Sequence, residues 1–300
     1  MAALSFAGSG EDILAAYCLS GSIVRWQLGD NQRLVDALNV EPFGCSSVAF
    51  DQAGKLAAVG GGSIPPTQAA GYAVSFKGGR LWDLEQRKLK FKSRDLSLVD
   101  VLISPDGKWY VEVTQAGPDV YETSMGDDLV YGYVWMGEPW TAAGIDSTGE
   151  WVAYASADGR IDIEPTTSSR GREGRGGILG LDRAEPTLDI AFDPFHRYVA
   201  TVTTNTFALW ELRNWDSLVL EQALANPTSL GDVTFSPDGK LLAVATAAGW
   251  QIWSVKDRQL LLENPQATYA LAFSPDGRLF AWGDANGVVH IWGAPDQGAS

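Results

Sequence analysis

The sequence predicts an all-β fold, a seven-bladed β-propeller with four-stranded antiparallel blades, from three observations. An apolar residue followed by Ser-Pro-Asp-Gly occurs at 103–107, 235–239 and 273–277, and these residues are typical of a tight turn between strands. Short runs of small and β-branched residues flank each turn. An apolar or aromatic residue closes each predicted third strand, at intervals of 39 to 56 residues: Trp26, Trp82, Tyr121, Ile163, Trp210, Trp253 and Trp292. A period of about 40–45 residues with four strands per unit is typical of a propeller blade.

The sixth unit shows how the residues specify four strands. Val233 and Phe235 alternate onto one face of a first strand. Pro237 sets φ at the first corner of the turn, and Gly239 accepts the positive φ that closes the hairpin. An apolar run at 241–246 follows, as expected of a strand covered on both faces. Further strands are predicted at 250–255 and 259–262.

The two ends of the chain predict how the ring closes. Residues 3–6 form the innermost strand of blade one, so they are not lent to the last blade. After Trp292 only Gly-Ala-Pro-Asp-Gln-Gly-Ala-Ser remains, which is a poor strand. We therefore expect a single domain over 1–300 whose last blade lacks its outer strand. Either the ring closes by face packing alone, or the chain is part of something larger.

The units resemble the WD40 repeat over essentially the whole chain. The resemblance is carried by the Phe-Ser-Pro-Asp-Gly turns and by the third-strand endings Leu81-Trp-Asp83, Leu209-Trp-Glu211, Ile252-Trp-Ser254 and Ile291-Trp-Gly293. Only Trp82-Asp83 keeps the Trp-Asp pair, and the Gly-His pair that opens the family's repeats is absent. The resemblance implies a propeller that docks proteins, but without the family's histidine-anchored hydrogen-bond network.

Composition and charge narrow the partners. With 22 basic and 37 acidic residues the net charge is −15, which repels nucleic acid and anionic membranes and favours a basic protein or peptide. The first dozen residues contain no Lys or Arg, unlike a secretory signal, so we expect a cytoplasmic protein. Cys18 and Cys45 both lie towards the top face, where the loops between blades and the turns between second and third strands meet. Their proximity is conceivable, but in that compartment we expect reduced thiols.

Three aspartates share one blade position. Asp100, Asp189 and Asp232 each stand three residues before the apolar residue that starts the hairpin turn, on blades three, five and six. The counterparts in other blades are Ser47, Ala142 and Ala270. Close carboxylates raise each other's pKa or bind a cation, which predicts an acidic mouth at the top of the channel for a Lys- or Arg-bearing peptide or a metal ion. The competing interpretation is that each carboxylate bonds a neighbouring backbone amide or hydroxyl.

Two loops are further candidates. An insertion at about 60–79 in blade two joins the second and third strands on the top face, and its candidate contacts are Tyr72, Phe76 and Lys77. A tolerated insertion without function explains it equally well. Arginines 170, 172 and 175 form a basic island towards the bottom face, where a solvated loop is the simpler interpretation.

Enzyme activity finds little support in the sequence. The chain has two histidines, His196 in a turn and His290 in a third strand, and it has no Gly-x-Ser-x-Gly motif. We therefore predict a non-catalytic, cofactor-free scaffold that docks partners on its top face. One alternative is a calcium-dependent, lactonase-like hydrolase, which requires the three aspartates to converge on one point. The other is a regulatory or sensor domain of a larger multidomain protein.

Overall fold

The computed structural model describes residues 3–8, 10, 12–18, 20–28, 33–39, 45, 47–61, 63–64, 74–75, 78–93, 98–114, 117–125, 129–132, 139–166, 177–180, 185–213, 217–224, 231–246 and 248–293. These residues form 29 strands. Seven antiparallel sheets are arranged as the blades of a propeller, so the predicted fold class is confirmed. Within the described residues, no helix reaches the length and apolarity of a bilayer span.

Blades one and two contain the first ten strands. Blade one consists of β1 (Ala3–Ala7), β2 (Asp12–Tyr17), β3 (Ser22–Gln27) and β4 (Arg33–Asn39). Blade two consists of β5 (Ser47–Phe50), β6 (Leu56–Gly60), β9 (Gly79–Asp83) and β10 (Lys88–Lys92). The insertion between β6 and β9 carries a separate two-stranded hairpin of β7 (Ser63–Ile64) and β8 (Val74–Ser75).

Blades three to five each pair four consecutive strands in chain order. Blade three consists of β11 (Leu98–Ile103), β12 (Trp109–Thr114), β13 (Gly117–Glu122) and β14 (Leu129–Gly132). Blade four consists of β15 (Trp140–Ile145), β16 (Trp151–Ser156), β17 (Arg160–Pro165) and β18 (Gly177–Gly180). Blade five consists of β19 (Thr187–Phe192), β20 (Tyr198–Thr203), β21 (Thr206–Glu211) and β22 (Ser217–Ala223).

The last two blades differ in strand number. Blade six consists of β23 (Gly231–Phe235), β24 (Leu241–Thr246), β25 (Gly249–Ser254) and β26 (Gln259–Asn264). Blade seven consists of β27 (Thr268–Phe273), β28 (Leu279–Asp284) and β29 (Val289–Gly293). In the described part of the chain blade seven has no fourth strand, and β1 is the innermost strand of blade one. Both features agree with the sequence-based prediction.

The Ser-Pro-Asp-Gly turns are held by their own side chains. In blade six the Ser236 hydroxyl donates to Asp238 Oδ1 at 2.7 Å and accepts the Leu241 amide at 3.0 Å. Gly239 has a φ of 63°, as the turn requires. The hydrogen bonds of the Asp238 carboxylate with the Lys240 side chain and with Ser236 lower its pKa to about 2. The turn is therefore specified locally, which explains why the sequence predicts it.

The register corrects one assignment in blade four. In blade six, Trp253 lies opposite Leu242 of the second strand. The residue of blade four that is equivalent to Leu242 is Val152, and Glu164 lies opposite it. Ile163, which the sequence analysis places at this position, is shifted by one residue and points to the other face. Because blade four has no aromatic residue here, the sequence offers no marker of the register.

The ring closes by face packing between blades one and seven. Leu4, Phe6 and Ile13 share a hydrophobic cluster with Ala270 and Ala272. The Tyr17 hydroxyl also donates to the Gly287 carbonyl across this junction at 3.0 Å. The sequence left open whether the ring closes by face packing or the chain is part of something larger, and the structure shows face packing.

The two cysteines form a disulfide, which contradicts the expectation of reduced thiols. Cys18 follows β2 and Cys45 precedes β5, with a Cα–Cα distance of 4.6 Å. The bond links the top of blade one to the start of blade two. The sequence-based expectation relied on compartment and could not show that the two turns meet. A disulfide is typical of oxidising compartments, so it does not follow from the expected cytoplasmic location, which stays a prediction.

Candidate functional site

A central channel runs along the propeller axis and is lined by the first strand of every blade. Its volume is about 570 Å³. The wall is mainly apolar, with Phe6, Ile103, Ile190 and Phe235 among its residues, and Asp189 is the one ionisable residue on the described lining. Prolines from the hairpin turns lie at the bottom end: Pro105, Pro194, Pro237 and Pro275. A charge at Asp189 is therefore surrounded by apolar wall, where water screens it less than on the surface.

Asp189 and Asp232 meet at the junction of blades five and six. A hydrogen bond joins their two carboxyl groups. Burial raises the pKa of Asp189 well above its ordinary value, and the nearby charge of Asp232 raises it further. Burial also raises the pKa of Asp232, although the hydrogen bond from Asp189 opposes that rise. The pKa of Asp189 is thus the more strongly raised of the two, so Asp189 is the carboxyl group that keeps its proton to the higher pH.

Each carboxyl group of this pair also bonds the backbone of the next blade. The Val233 amide donates to Asp189 Oδ2 at 2.8 Å, and the Leu271 amide donates to Asp232 Oδ2 at 2.6 Å. Asp189 Oδ1 accepts the amide of Ile190 on its own strand, also at 2.8 Å. The first strands of adjacent blades are not paired with each other, so these side chains satisfy amides that the sheets leave unpaired.

Asp100 has the same function at the junctions around blade three. It accepts the Ser47 hydroxyl from blade two, the Val101 amide at 2.8 Å and the Ala143 amide from blade four at 3.3 Å. Burial raises the pKa of the Asp100 carboxyl, although these three hydrogen bonds oppose the rise. Asp100 therefore connects three consecutive blades through one carboxyl group.

The three aspartates occupy one structural position but do not form one cluster. The registers pair Asp100, Asp189 and Asp232 with Val113, Val202 and Ala245, which are equivalent residues of the second strands. The structure brings Asp189 and Asp232 together and places Asp100 with Ser47. Across the described residues, no three His, Cys, Asp or Glu side chains are arranged to hold a metal ion. The convergence required by the calcium-dependent alternative is therefore not found at these aspartates.

The remaining candidate contacts lie outside the described residues. This applies to Tyr72, Phe76 and Lys77 of the blade-two insertion and to the basic island at 170–175. Their roles stay predictions.

A second concave surface, missed by the sequence analysis, lies between blades four and five on the bottom face. It is a groove of about 640 Å³ whose apolar wall includes Trp151 and Tyr198. His196 lies on its edge, with Nε2 at 2.6 Å from Oδ2 of the fully buried Asp146. His196 has a φ of 56°, which agrees with its predicted place at a turn glycine.

Repeat symmetry explains this histidine–aspartate pair. In other blades the turn glycine lies against the residue that caps the preceding blade's turn: Gly107 against Asp51, and Gly149 against Ser104. His196 replaces such a glycine in blade five, so its ring falls on the capping Asp146 of blade four. The signal was present in the sequence, but it required comparing different positions of adjacent repeats.

Blade seven contains a hydrogen-bond network around a histidine of its third strand. His290 Nε2 lies 3.0 Å from Asp284 Oδ2 and 3.2 Å from Gln266 Nε2, and its ring stacks on Trp282. Burial raises the pKa of Asp284, but the hydrogen bonds from His290 and from backbone amides outweigh it and leave the pKa below its ordinary value. The histidine comes from the third strand rather than from a Gly-His pair, so this network is not the one whose absence the sequence predicts.

Comparisons with known proteins agree with this architecture. The family described as "WD domain, G-beta repeat" matches residues 259–293, which comprise β26 and the three strands of blade seven. No curated protein matches the chain. A solved structure of Kuenenia stuttgartiensis hydrazine synthase is 14% identical, with a TM-score of 0.74 over 97% of this chain and 95% of that chain. At this identity, and with 1636 matching chains in all, the likeness shows the fold alone.

Proposed function

We propose that this chain, a seven-bladed β-propeller of the WD40 type, is a non-catalytic scaffold that docks a basic protein or peptide on its top face. The observation that carries the proposal is the Asp189–Asp232 pair, whose carboxyl groups are joined by a hydrogen bond at the top of a mainly apolar channel. Asp189 lies on the channel lining, and Asp232 is its hydrogen-bond partner.

A cationic side chain is the partner that this geometry favours. A lysine ammonium or arginine guanidinium entering the channel from the top would take the place of the proton that joins the two carboxyl groups and satisfy both carboxylates. The apolar wall would lie along the methylene stem of that side chain. The net charge of −15 would attract a basic segment at long range and repel nucleic acid.

Docking of this kind has a thermodynamic signature. Because the pKa of Asp189 is raised well above its ordinary value, binding of a cation should release a proton at any pH below that raised pKa. The apparent binding enthalpy should therefore depend on the ionisation enthalpy of the buffer. A peptide that binds elsewhere on the acidic surface would show no such dependence.

The test is titration calorimetry of peptides that carry a single Lys or Arg in an apolar context, in phosphate and in Tris buffer. We expect buffer-dependent binding to the wild type and its loss in Asp232→Asn. Asp276→Asn is the matched control, because it removes one charge from an exposed turn far from the pair. Equal affinities for the two variants would overturn the proposal.

A further inference from the structure

Trp292 in blade seven is exposed, whereas its aromatic equivalents in the other blades are buried or partly buried. The aromatic residue at this position of the third strand is 3% exposed for Trp210, 8% for Trp253 and 8% for Tyr121. Trp292 is 51% exposed. Trp26 and Trp82 are partly buried in blades one and two. The five blades that contain these less exposed aromatic residues all have a fourth strand, and the described part of blade seven lacks one.

The fourth strands share a leucine at the point that faces this aromatic residue. In five blades the residue directly opposite it is leucine, in the pairs Trp26–Leu34, Trp82–Leu89, Tyr121–Leu129, Trp210–Leu218 and Trp253–Leu260. A bulge follows each of these leucines. The residue two positions after the leucine then pairs with the residue before the aromatic, and it is Asp36, Phe91, Tyr131, Leu220 or Leu262. Four of these five fourth strands therefore contain a Leu-x-apolar segment at this position.

The neighbouring blade has a second unmatched surface at the same junction. In blade five, Leu220 is partly buried against the cluster that contains Trp253 of blade six. The equivalent residue of blade six is Leu262, which pairs with Ile252 on the face towards blade seven, and it is 44% exposed. Leu262 and Trp292 therefore both lack the cover that the fold provides one blade earlier.

We propose that an extended segment of a partner protein completes blade seven. The segment pairs antiparallel with β29, places a leucine opposite Trp292 and an apolar residue two positions further on, opposite Ile291. The antiparallel direction follows from the six fourth strands already present. Strand addition at a free sheet edge supplies backbone hydrogen bonds for affinity and side-chain pockets for specificity.

The chain itself contains no free segment of this kind in the described residues, because each Leu-x-apolar fourth strand is paired within its own blade. Residues 294–300 contain no leucine. The inference builds on the proposed scaffold function but uses a different surface, on the rim of the ring rather than at the channel. The two can therefore fail independently.

The probe is a fluorescent peptide that copies the chain's own outer strand, residues 256–264 with Leu260 and Leu262. We expect saturable one-to-one binding by fluorescence anisotropy, with increased protection of β29 amides in hydrogen exchange. Replacing both peptide leucines with serine, or Trp292→Ser in the protein, should weaken binding by about tenfold or more, since each removes an apolar side chain that strand pairing would cover. Phe195→Ser is the matched control, because Phe195 is 59% exposed on another blade.

Several results would overturn the inference. They are absence of saturable binding to the wild type, equal binding by Trp292→Ser and wild type, and equal binding of the serine-substituted peptide. A wild-type dimer that Trp292→Ser converts to monomers would make a second copy of this chain the occupant, which contradicts the proposed partner. Unchanged strand binding by Asp232→Asn would separate this surface from the channel site.

Discussion

The imidazole of His196 contacts the carboxylate of Asp146, with 2.6 Å between Nε2 and Oδ2, across the junction of blades four and five. Asp146 also accepts the Thr148 amide at 2.9 Å and the Trp151 amide at 2.6 Å, so it caps its own turn while it binds the next one. The pair therefore links the hairpin turns of two adjacent blades on the bottom face.

The backbone at His196 predicts an unusual order of stability. Its φ of 56° is unfavourable for every residue with a Cβ atom. His196→Ala keeps that strain and loses the contact with Asp146, whereas His196→Gly loses the contact but removes the strain. We expect His196→Gly to be more stable than His196→Ala by about 1 kcal/mol, as measured by urea unfolding.

Phe195 provides the control for this comparison, since its φ is not positive. There the alanine variant should be the more stable, because glycine increases the entropy of the unfolded chain. If alanine were also the better substitute at position 196, the left-handed conformation would be ruled out.

The Asp189–Asp232 pair predicts a pH dependence of stability. The pKa of Asp189 is raised in the folded state above its unfolded value of about 3.9. Its contribution to stability is therefore complete below that unfolded pKa and is lost as the pH rises through the folded pKa. Each unit of difference corresponds to about 1.4 kcal/mol. We expect the unfolding free energy to decline as the pH rises above the unfolded pKa towards the raised folded pKa.

Asp232→Asn should make this decline shallower, because it removes the charge that raises the pKa of Asp189. Urea unfolding at several pH values measures the slope. In Asp276→Asn the slope over this range should match that of the wild type. The hydrogen bond from Ser274 lowers the pKa of Asp276, so the contribution of Asp276 to stability is lost only as the pH falls through that lowered pKa. Parallel curves for wild type and Asp232→Asn would contradict the coupling.

The Cys18–Cys45 disulfide should stabilise the junction of blades one and two. The sequence separation is 27 residues, and closing a loop of this size contributes about 3–4 kcal/mol in the chain-entropy description. We expect a reducing agent to lower the midpoint of thermal unfolding. The double variant Cys18→Ser, Cys45→Ser should be insensitive to the same treatment. Two titratable thiols in the native, unreduced protein would show that the bond is not formed.

The two tryptophans that end the third strands of blades six and seven should differ in their contribution to stability. Trp253 is 8% exposed and packs against Phe207 of blade five, with ring centroids 5.1 Å apart. Trp253→Ala should cost about 3–5 kcal/mol, as expected for a buried aromatic residue. Trp292→Ala should change the unfolding free energy by about 1 kcal/mol or less, because half of its surface is exposed. Equal losses in urea unfolding would mean that Trp292 is covered in solution.

Much of the fold could be predicted from the sequence because its signals are local. The turn at 235–239 contains the serine, aspartate and glycine that hold it, so its chemistry lies within five residues. In the described residues blade seven has three strands, which agrees with the prediction that 293–300 is a poor strand. Where the local marker was absent, as at Ile163 and Glu164, the predicted register was wrong by one residue.

The sequence by itself determined the number of blades, the strands within each of them and the shared position of Asp100, Asp189 and Asp232. Only the tertiary structure decided which of these residues meet. The pairs Asp189–Asp232, His196–Asp146 and Cys18–Cys45 all cross from one blade to the next. Such contacts depend on the angle and offset between two complete sheets packed around a ring, and no periodicity within a single repeat contains that information.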